Sequence, residues 1–259
     1  MNRRVSTVLI GVLLSVIGSA VAGPTSTTSS SVRVATSTAV SSLRGGMVMD
    51  VVNVMDRSGI SADVLTLAVS AVSCAVNSGA IEKPKTLSVI DYSKPSTEER
   101  LWVFDVATGS LLFKELVAHG RNTGENMATS FSDAMNSRQS SLGLFITGDT
   151  YVGSNGYSLR LDGLEPGFNA NARERAIVMH GAPYVNTALA KQQGRIGRSW
   201  GCPALSEAIA HDVINTVRGG GVLFSYYPDD TWLTSSKFLH CANTKEAKDT
   251  KKAATPPIA

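Results

Sequence analysis

The chain has 259 residues, with 24 lysines and arginines against 21 aspartates and glutamates and a formal net charge of +3. Residues 1–22 carry two of the arginines and no acidic residue, so the rest of the chain has 22 basic and 21 acidic residues. A body so close to neutrality gives no electrostatic basis for binding nucleic acid or an anionic membrane surface.

Residues 1–22 are predicted to be a secretory signal peptide. Arg3 and Arg4 precede an apolar stretch, Val8–Ile17, which is followed by the small residues Ala20 and Ala22. The stretch is too short to span a bilayer, and small residues at these positions suit signal peptidase. We therefore expect an exported protein of the periplasm or cell envelope, with no membrane span after cleavage. An uncleaved N-terminal anchor is the alternative.

Two segments come before the predicted main domain. Residues 24–42 contain 12 serines or threonines in 19 positions and no apolar periodicity, which predicts a flexible linker over residues 23–45. Residues 46–85 are predicted to be a helical support segment. Within it, we expect a helix from Ser61 to Asn77 that is capped by Ser61 and ended by Gly79. Its expected buried face consists of Leu65, Ala68, Val69, Val72 and Val76.

From residue 86 to residue 228 the sequence is typical of a mainly β domain. Short apolar runs bounded by turn residues predict the strands Leu87–Tyr92, Arg100–Val106, Leu111–Ala118, Leu144–Thr147, Tyr157–Leu161, Ala176–Met179 and Val222–Tyr227. Thr108 and Gly109 are predicted to form a hairpin turn, and one helix is expected over Ser206–Val217. This pattern favours an antiparallel β-sandwich or barrel with few helices over alternating β/α units. Residues 229–259 are expected to be a C-terminal extension, disordered from about residue 243.

The glycine-rich stretch Gly194–Leu205 contains Cys202, one of three cysteines in the chain. The strand-like run Ala176–Met179 leads directly into His180 and Gly181. A strand that presents a histidine and a glycine-rich loop that presents a cysteine together indicate a Cys/His nucleophilic pair. The glycine before Cys202 would let backbone N–H groups face a developing oxyanion.

The three cysteines leave at least one thiol unpaired in an exported protein. Cys74 lies in the predicted helix and Cys241 lies just before the tail, so these two could form a disulfide and leave Cys202 free. All three could instead remain thiols. The sequence leaves both arrangements open.

Two other kinds of site match parts of the same loop. Residues 197–201 fit the G-x-S-x-G nucleophile elbow around Ser199, and Asp229 and His240 follow in the order that α/β-hydrolases use. That elbow requires a buried strand before the serine, whereas residues 191–195 are polar and interrupted by glycine. A zinc site built from His180 and Cys202 would lack a paired-ligand spacing. We favour neither site, and no metal or organic cofactor is implied.

Several separated blocks resemble one known family. Val178–Gly181 followed by Ser199–Cys202 is similar to the H-G…S-x-G-C signature of the YkuD-like L,D-transpeptidase catalytic domain. Further blocks resemble the murein L,D-transpeptidase branch of that family: Ala118–Gly124, Ser140–Gly143, Gly156–Leu161, Gly163–Glu165 and Gly197–Leu205. The resemblance covers residues 86–228, and the order of the blocks makes it specific.

The resemblance implies a mainly β, YkuD-like catalytic domain that acts on peptidoglycan stem peptides outside the cytoplasm. Cys202 would attack the stem tetrapeptide, release the terminal D-Ala, and pass the acyl group from a thioester to an amine, which gives a 3→3 cross-link. His180 would act as the base and the Gly181 carbonyl would orient its ring. N–H groups near Gly201 and Cys202 would form the oxyanion hole. Carbapenem β-lactams would be covalent inhibitors.

The resemblance also suggests substrate contacts. The candidates are His119, Tyr157, Arg160, Arg198 and Trp200. His119 would either line the cleft or be a hydrogen-bonded loop residue, and Arg160 would hold either a stem carboxylate or a structural ion pair. Trp200, where many members have a second histidine, would either wall the acyl pocket or pack. Ser199 is expected to shape the loop, while His211 and His240 are expected at the surface.

Two other functions are compatible with the same residues. An L,D-carboxypeptidase would use water in place of the amine acceptor. A non-catalytic cell-wall-binding protein would keep the scaffold without the reaction. The presence of both His180 and Cys202 argues against the second alternative.

Overall fold

The computed structural model describes residues 57–241. The predicted signal peptide, the linker and the tail from residue 243 lie outside the described residues. The helices are α1 (Ala62–Asn77), α2 (Thr187–Gln193), α3 (Glu207–Val217) and α4 (Asp230–Ser235). The strands are β1 (Thr86–Asp91), β2 (Leu101–Asp105), β3 (Leu111–Glu115), β4 (Gly143–Gly153), β5 (Gly156–Gly163), β6 (Val178–Ala182), β7 (Ala204–Ser206) and β8 (Val222–Tyr226). Of these helices, none is long and apolar enough to cross a membrane.

The eight strands form one sheet in the order β3-β2-β1-β8-β4-β5-β6-β7. Neighbouring strands are antiparallel except for the pairs β1–β8 and β6–β7, which are parallel. The two edges of the sheet approach each other where Ala118, just after β3, donates its N–H to the carbonyl of Ala204 in β7 at 2.8 Å. The sheet is therefore almost closed into a barrel. This confirms the mainly β, mostly antiparallel fold.

The central strands are buried on both faces of the sheet. Leu87 and Val89 of β1 face the core that α1 covers. Ile90 of β1 and Leu223 of β8 face the opposite side, where Val213 of α3 packs. Successive side chains of a strand point to opposite faces, so burial on both sides makes each strand a mostly apolar run, interrupted by a few buried polar residues such as Ser88 and Ser225. That run is the signal by which these strands could be predicted.

The predicted helix at residues 61–77 forms as α1, with two differences in detail. Ser61 occupies the position before the helix, but its side chain makes no capping hydrogen bond. Val76, expected in the buried face, is only partly buried. Because α1 shares its core with the sheet, helix and β domain fold as one unit.

Three elements were not predicted: β7, α2 and α4. Strand β7 has three residues, too few for a periodic pattern. The capping signals of the two helices were present, since Asn186 accepts the Leu189 N–H and Asp229 accepts the Trp232 N–H, each at 2.8 Å. The helices are only seven and six residues long, so they have little periodicity of their own.

The C-terminal extension is ordered up to the end of the described residues. Trp232 of α4 is fully buried, and its Nε1 donates to the carboxylate of Glu165 at 3.2 Å. Ser236 Oγ donates to the same carboxylate at 2.5 Å. A disulfide joins Cys74 of α1 to Cys241, and Cys202 is a free thiol. The C-terminal extension is thus attached to the core by hydrogen bonds to the buried Glu165 carboxylate and by the Cys74–Cys241 disulfide.

Candidate active site

The fold brings Cys202 and His180 to neighbouring strands. His180 lies in β6, and its register partner in the parallel strand β7 is Ala204. Cys202 lies two residues before that partner, at the entrance to β7. Both side chains are nearly buried, with 8% of Cys202 and 4% of His180 accessible. The thiol and the imidazole are therefore both shielded from solvent, on neighbouring segments at one end of the sheet.

The Cys202 thiol contacts the backbone at the start of β6. Its Sγ lies 3.6 Å from the carbonyl oxygen of Ala176, to which the thiol donates, and 3.5 Å from the N–H of Val178, which it accepts. Burial raises the pKa of the thiol, and the Val178 N–H and the charge of Arg175 offset part of that rise. Among the described residues, no hydrogen bond joins this thiol to His180. The thiol is thus protonated in this arrangement.

The imidazole of His180 has a defined tautomer. Its Nδ1 lies 2.8 Å from the carbonyl oxygen of Gly181. Since a carbonyl can only accept, Nδ1 carries the proton and Nε2 keeps a lone pair. Burial lowers the pKa of His180 and the hydrogen bond to Gly181 raises it. Burial is the larger influence, so the ring is neutral near pH 7 and can accept a proton.

The loop before Cys202 is shaped by the hydroxyl of Ser199. Its Oγ donates to the Cys202 carbonyl at 2.6 Å and accepts the Gly201 N–H at 3.0 Å. Gly201 has a φ of 126°, and a Cβ there would lie 2.7 Å from the carbonyl oxygen of Gln139. Only glycine fits this position without strain.

These contacts bear on the predicted oxyanion hole. The Gly201 N–H, expected in the oxyanion hole, is already used by Ser199. In the described part of the chain, the Cys202 N–H has no hydrogen-bond partner, and it is therefore the better candidate donor. The Ser199 hydroxyl is buried and uses both its donor and an acceptor position within the loop. This argues against the serine-elbow alternative, in which Ser199 would be the nucleophile.

A second layer of polar residues supports the loop. Ser140 Oγ accepts the Gly120 N–H at 3.0 Å and donates to the Gly201 carbonyl at 3.1 Å. Tyr92 is buried beside it, and burial raises the pKa of its phenol to about 12. A cavity of about 10 Å³, the room one water needs, borders Tyr92, Ser140 and Gly201. Tyr92 and Ser140 had no predicted role at the site, although Ser140 lies in a family block.

Arg175 is a further residue that sequence analysis missed. It is buried and donates to Ser132 O at 2.8 Å, Ser141 Oγ at 2.5 Å, Ser137 Oγ at 2.9 Å and Gln139 O at 2.7 Å. Asp133 lies 3.8 Å away. Arg175 thus attaches the loop of residues 132–141 to the start of β6. The only sequence signal was an arginine just before an apolar strand.

Two predicted substrate contacts are structural residues instead. His119 has no accessible surface; its Nδ1 accepts from Arg100 at 2.7 Å and its Nε2 lies 3.3 Å from Gly124 O. It is the hydrogen-bonded loop histidine of the alternative interpretation. Arg198 donates to Gly124 O at 2.9 Å and pairs with Glu125 at 2.6 Å. His119 is fully buried, whereas 20% of the Arg198 side chain stays accessible.

The remaining predicted residues differ in their contacts and exposure. Tyr157 donates to Asn215 Oδ1 at 2.8 Å and so attaches α3 to β5. Arg160 lies over the ring of Tyr151 at 4.4 Å, and among the described residues it has no acidic partner. Trp200 is 67% exposed, so it does not pack into the core. His211 and His240 are exposed, as expected.

Two features of the described residues bear on ligands. Within residues 57–241, no group of three or more His, Cys, Asp or Glu side chains is arranged to hold a metal ion. An open groove of about 550 Å³ is lined by residues 131–134, 166, 167, 170 and 171. It includes none of the predicted site residues.

Residues 56–226 match the family described as the L,D-transpeptidase catalytic domain. The match covers most of the chain and includes His180, Ser199 and Cys202. This chain therefore belongs to the L,D-transpeptidase catalytic domain family, as the resemblance predicted. No curated protein gives a match.

Solved structures of the same class are distant from this chain. An L,D-transpeptidase from Mycobacterium smegmatis is 15% identical over 55% of this chain and 59% of its own, with a TM-score of 0.35. L,D-transpeptidase 3 from Mycobacterium tuberculosis, in complex with a faropenem-derived adduct, is 18% identical over 56% and 61%, with a TM-score of 0.34. An L,D-transpeptidase from Xylanimonas cellulosilytica is 16% identical over 60% and 68%, with a TM-score of 0.32. The chain spans about three fifths of the first two, and the family assignment rests on the family match.

Proposed function

We propose that this chain is an exported peptidoglycan L,D-transpeptidase in which Cys202 is the nucleophile and His180 the base. The observation that carries the proposal is that His180 lies in β6 while Cys202 directly precedes the parallel strand β7 that pairs with it, with His180 Nδ1 held by the Gly181 carbonyl. This leaves Nε2 as the proton acceptor on a neutral ring. A buried thiol whose pKa is raised needs such a base.

The first half of the reaction forms a thioester. The Cys202 side chain leaves the Ala176 carbonyl by rotation about its Cα–Cβ bond and transfers its proton to His180 Nε2. The sulfur then attacks the carbonyl carbon that joins the third residue of a stem tetrapeptide to its terminal D-Ala. The Cys202 N–H donates to the oxyanion. As the C–N bond breaks, the D-Ala nitrogen takes the proton from His180 and D-Ala leaves.

The second half transfers the acyl group. An amine on a neighbouring stem gives a proton to His180 Nε2 and attacks the thioester carbonyl. The C–S bond breaks, the proton returns to Cys202, and a 3→3 cross-link remains. If water takes the place of the amine, the product is a tripeptide and the enzyme is an L,D-carboxypeptidase.

Export is proposed from residues 1–22 and is supported by the cysteines. Disulfides persist in oxidising compartments and are rare in the cytosol. The bond between Cys74 and Cys241, with Cys202 left free, fits a protein of the periplasm or cell envelope. Stem peptides are the proposed substrates, and carbapenems are proposed to acylate Cys202.

The deciding experiment uses residues 23–259 mixed with a tetrapeptide muropeptide and analysed by mass spectrometry. We expect dimers formed with loss of D-Ala, and none with Cys202→Ala, which keeps the fold but lacks the thiol. Tripeptide without dimer would replace transpeptidation by carboxypeptidation. An unchanged substrate, or product formation by Cys202→Ala, would overturn the proposal. A carbapenem adduct found at any residue other than Cys202 would overturn the assignment of the nucleophile.

A further inference from the structure

Trp200 is an unusual exposed residue in an otherwise buried loop. Its neighbours Ser199, Gly201, Cys202 and Pro203 are buried, whereas 67% of Trp200 is accessible. The other two tryptophans of the chain, Trp102 and Trp232, are fully buried. An indole left in solvent two residues before the proposed nucleophile presents a large apolar face with a polar edge, the kind of side chain that is enriched at binding surfaces.

Arg138 lies over this indole. Its guanidinium carbon is 4.7 Å from the centre of the Trp200 ring. Stacking on the ring face fixes the guanidinium plane and leaves its N–H groups directed outward. Arg138 is exposed, and among residues 57–241 it has no carboxylate partner. Arg173, Arg175, Arg195 and Arg198 are each within 4 Å of one, whereas among the described residues Arg121, Arg160 and Arg218 resemble Arg138 in having none.

The backbone holds Arg138 in place next to the Cys202 loop. Its φ is 55°, a left-handed conformation that is strained for arginine. Its carbonyl accepts the Asn122 N–H at 3.1 Å, and Arg175 donates to the next carbonyl, that of Gln139, at 2.7 Å. A Cβ on Gly120 would lie 2.5 Å from Arg138 O and 3.0 Å from Gly201 Cα, so both segments pack on this glycine. The backbone of Arg138 is therefore fixed relative to the loop that carries Trp200 and Cys202.

We propose that Arg138, stacked on Trp200, binds a carboxylate of the stem peptide whose amide is presented to Cys202. The inference rests on the proposed function. A guanidinium with free N–H groups matches a carboxylate, and the indole provides an apolar surface for the adjoining methyl group. Two carboxylates of the stem are candidates: that of the terminal D-Ala, roughly 4–5 Å from the carbonyl under attack, and one on the side chain of the third residue. Both present the same chemistry to Arg138.

The test measures binding in a Cys202→Ala background, where no turnover takes place. Trp200 is the one exposed tryptophan of residues 57–241, so a change in tryptophan emission reports on this platform, and calorimetry gives the Kd. The ligands are a tetrapeptide stem with a third-residue carboxylate, the same stem as a C-terminal amide, and the same stem with that side chain amidated.

We expect Arg138→Asn to weaken tetrapeptide binding by about tenfold and to remove the preference for the acid over one of the amides. Asparagine is chosen because it tolerates a left-handed φ, so the loop keeps its shape. Arg218→Gln, which removes an exposed charge at the end of α3, is the matched control and should leave the Kd unchanged. Weaker binding of the C-terminal amide assigns the terminal carboxylate, and weaker binding of the other amide assigns the side chain.

Equal binding of the tetrapeptide by Arg138→Asn and its parent would overturn the inference. So would equal binding of all three ligands, or an absence of binding. Whether the chain is a transpeptidase is judged separately, from the products of the active protein. A transpeptidase with unaltered Arg138→Asn binding would therefore contradict this inference alone.

Discussion

The carbonyl oxygen of Gly181 lies 2.8 Å from Nδ1 of His180, and this contact decides which nitrogen of the imidazole can accept a proton. The residue that follows the base in sequence thus fixes its tautomer, and no separate carboxylate is needed. A Cβ on Gly181 would lie 3.1 Å from the Cβ of Ala210 in α3. The glycine therefore also allows α3 to pack closely beside the site.

The first prediction concerns the pH dependence of acylation. We expect the rate of Cys202 acylation by a carbapenem to rise with pH along an acid limb whose midpoint lies below 6.5, the ordinary pKa of histidine. The reason is that burial lowers the pKa of His180, so the neutral base persists to lower pH. Burial raises the pKa of Cys202, so free thiolate remains scarce across this range. Mass-spectrometric acylation rates from about pH 4 to 9 give the midpoint.

His180→Gln is the matched variant for this profile. It should lose the acid limb and react about 10²–10⁴-fold more slowly. A wild-type midpoint near the ordinary thiol pKa of about 8.5 would mean that thiolate forms without the base, and the proposed role of His180 would be wrong.

The second prediction concerns Ser199. Ser199→Ala removes the two hydrogen bonds that hold Gly201 and the Cys202 carbonyl. We expect the free energy of unfolding to fall by about 1–3 kcal/mol, because buried partners are left unpaired. We also expect kcat to fall more than KM rises, since the Cys202 N–H is displaced. A carbapenem adduct should still form on Cys202. Ser110→Ala, in an exposed turn, serves as the control, and complete loss of acylation in Ser199→Ala would restore serine as a possible nucleophile.

The third prediction separates two effects of Arg175. Arg175→Met removes four hydrogen bonds and leaves Asp133 without its cation, so we expect a loss of about 3 kcal/mol in the free energy of unfolding. We also expect the pKa of the Cys202 thiol to rise, because the Arg175 charge lowers it. The rate of alkylation by iodoacetamide as a function of pH measures that pKa. In Arg175→Met/Asp133→Asn part of the stability should return while the thiol pKa stays high. A thiol pKa unchanged in both variants would show that Arg175 only holds the loop.

The parts of the fold that sequence could predict are those with a local signal. The strands around Val89, Val103 and Leu223 are apolar at most positions because both faces are covered, and α1 has a clear helical period. Strand β7 gave no signal because its three residues become a strand only by pairing with β6. The same holds for the parallel pairing of β1 with β8, which depends on residues more than a hundred positions apart.

The residues of the candidate site likewise fall into those with a local sequence signal and those whose role depends on distant contacts. The positions of Cys202 and His180 were predictable because residue types and their local setting indicate the chemistry. The roles of Gly201 and Ser140 were not, since they depend on which hydroxyl reaches which backbone group across the fold. His119 was predicted as a possible cleft residue because it lies in a family block, yet the block reflects a buried hydrogen-bond network.

The last prediction follows from that network. Burial and the neighbouring Arg100 charge lower the pKa of His119 to about 4, from an ordinary value of 6.5. Between these two pH values His119 is protonated in the unfolded chain and neutral in the folded chain. The free energy of unfolding therefore falls as the pH drops from 6.5 towards 4. Between pH 7 and 5 we expect His119 to contribute a loss of about 2 kcal/mol, measured by urea unfolding. His119→Asn keeps an acceptor for Arg100 but cannot titrate. The free energy of unfolding of this variant should therefore fall by about 2 kcal/mol less than that of the wild type between pH 7 and 5. Equal pH dependence in the two proteins would mean that His119 is protonated without cost in the fold, and that its contact with Arg100 is not maintained in solution.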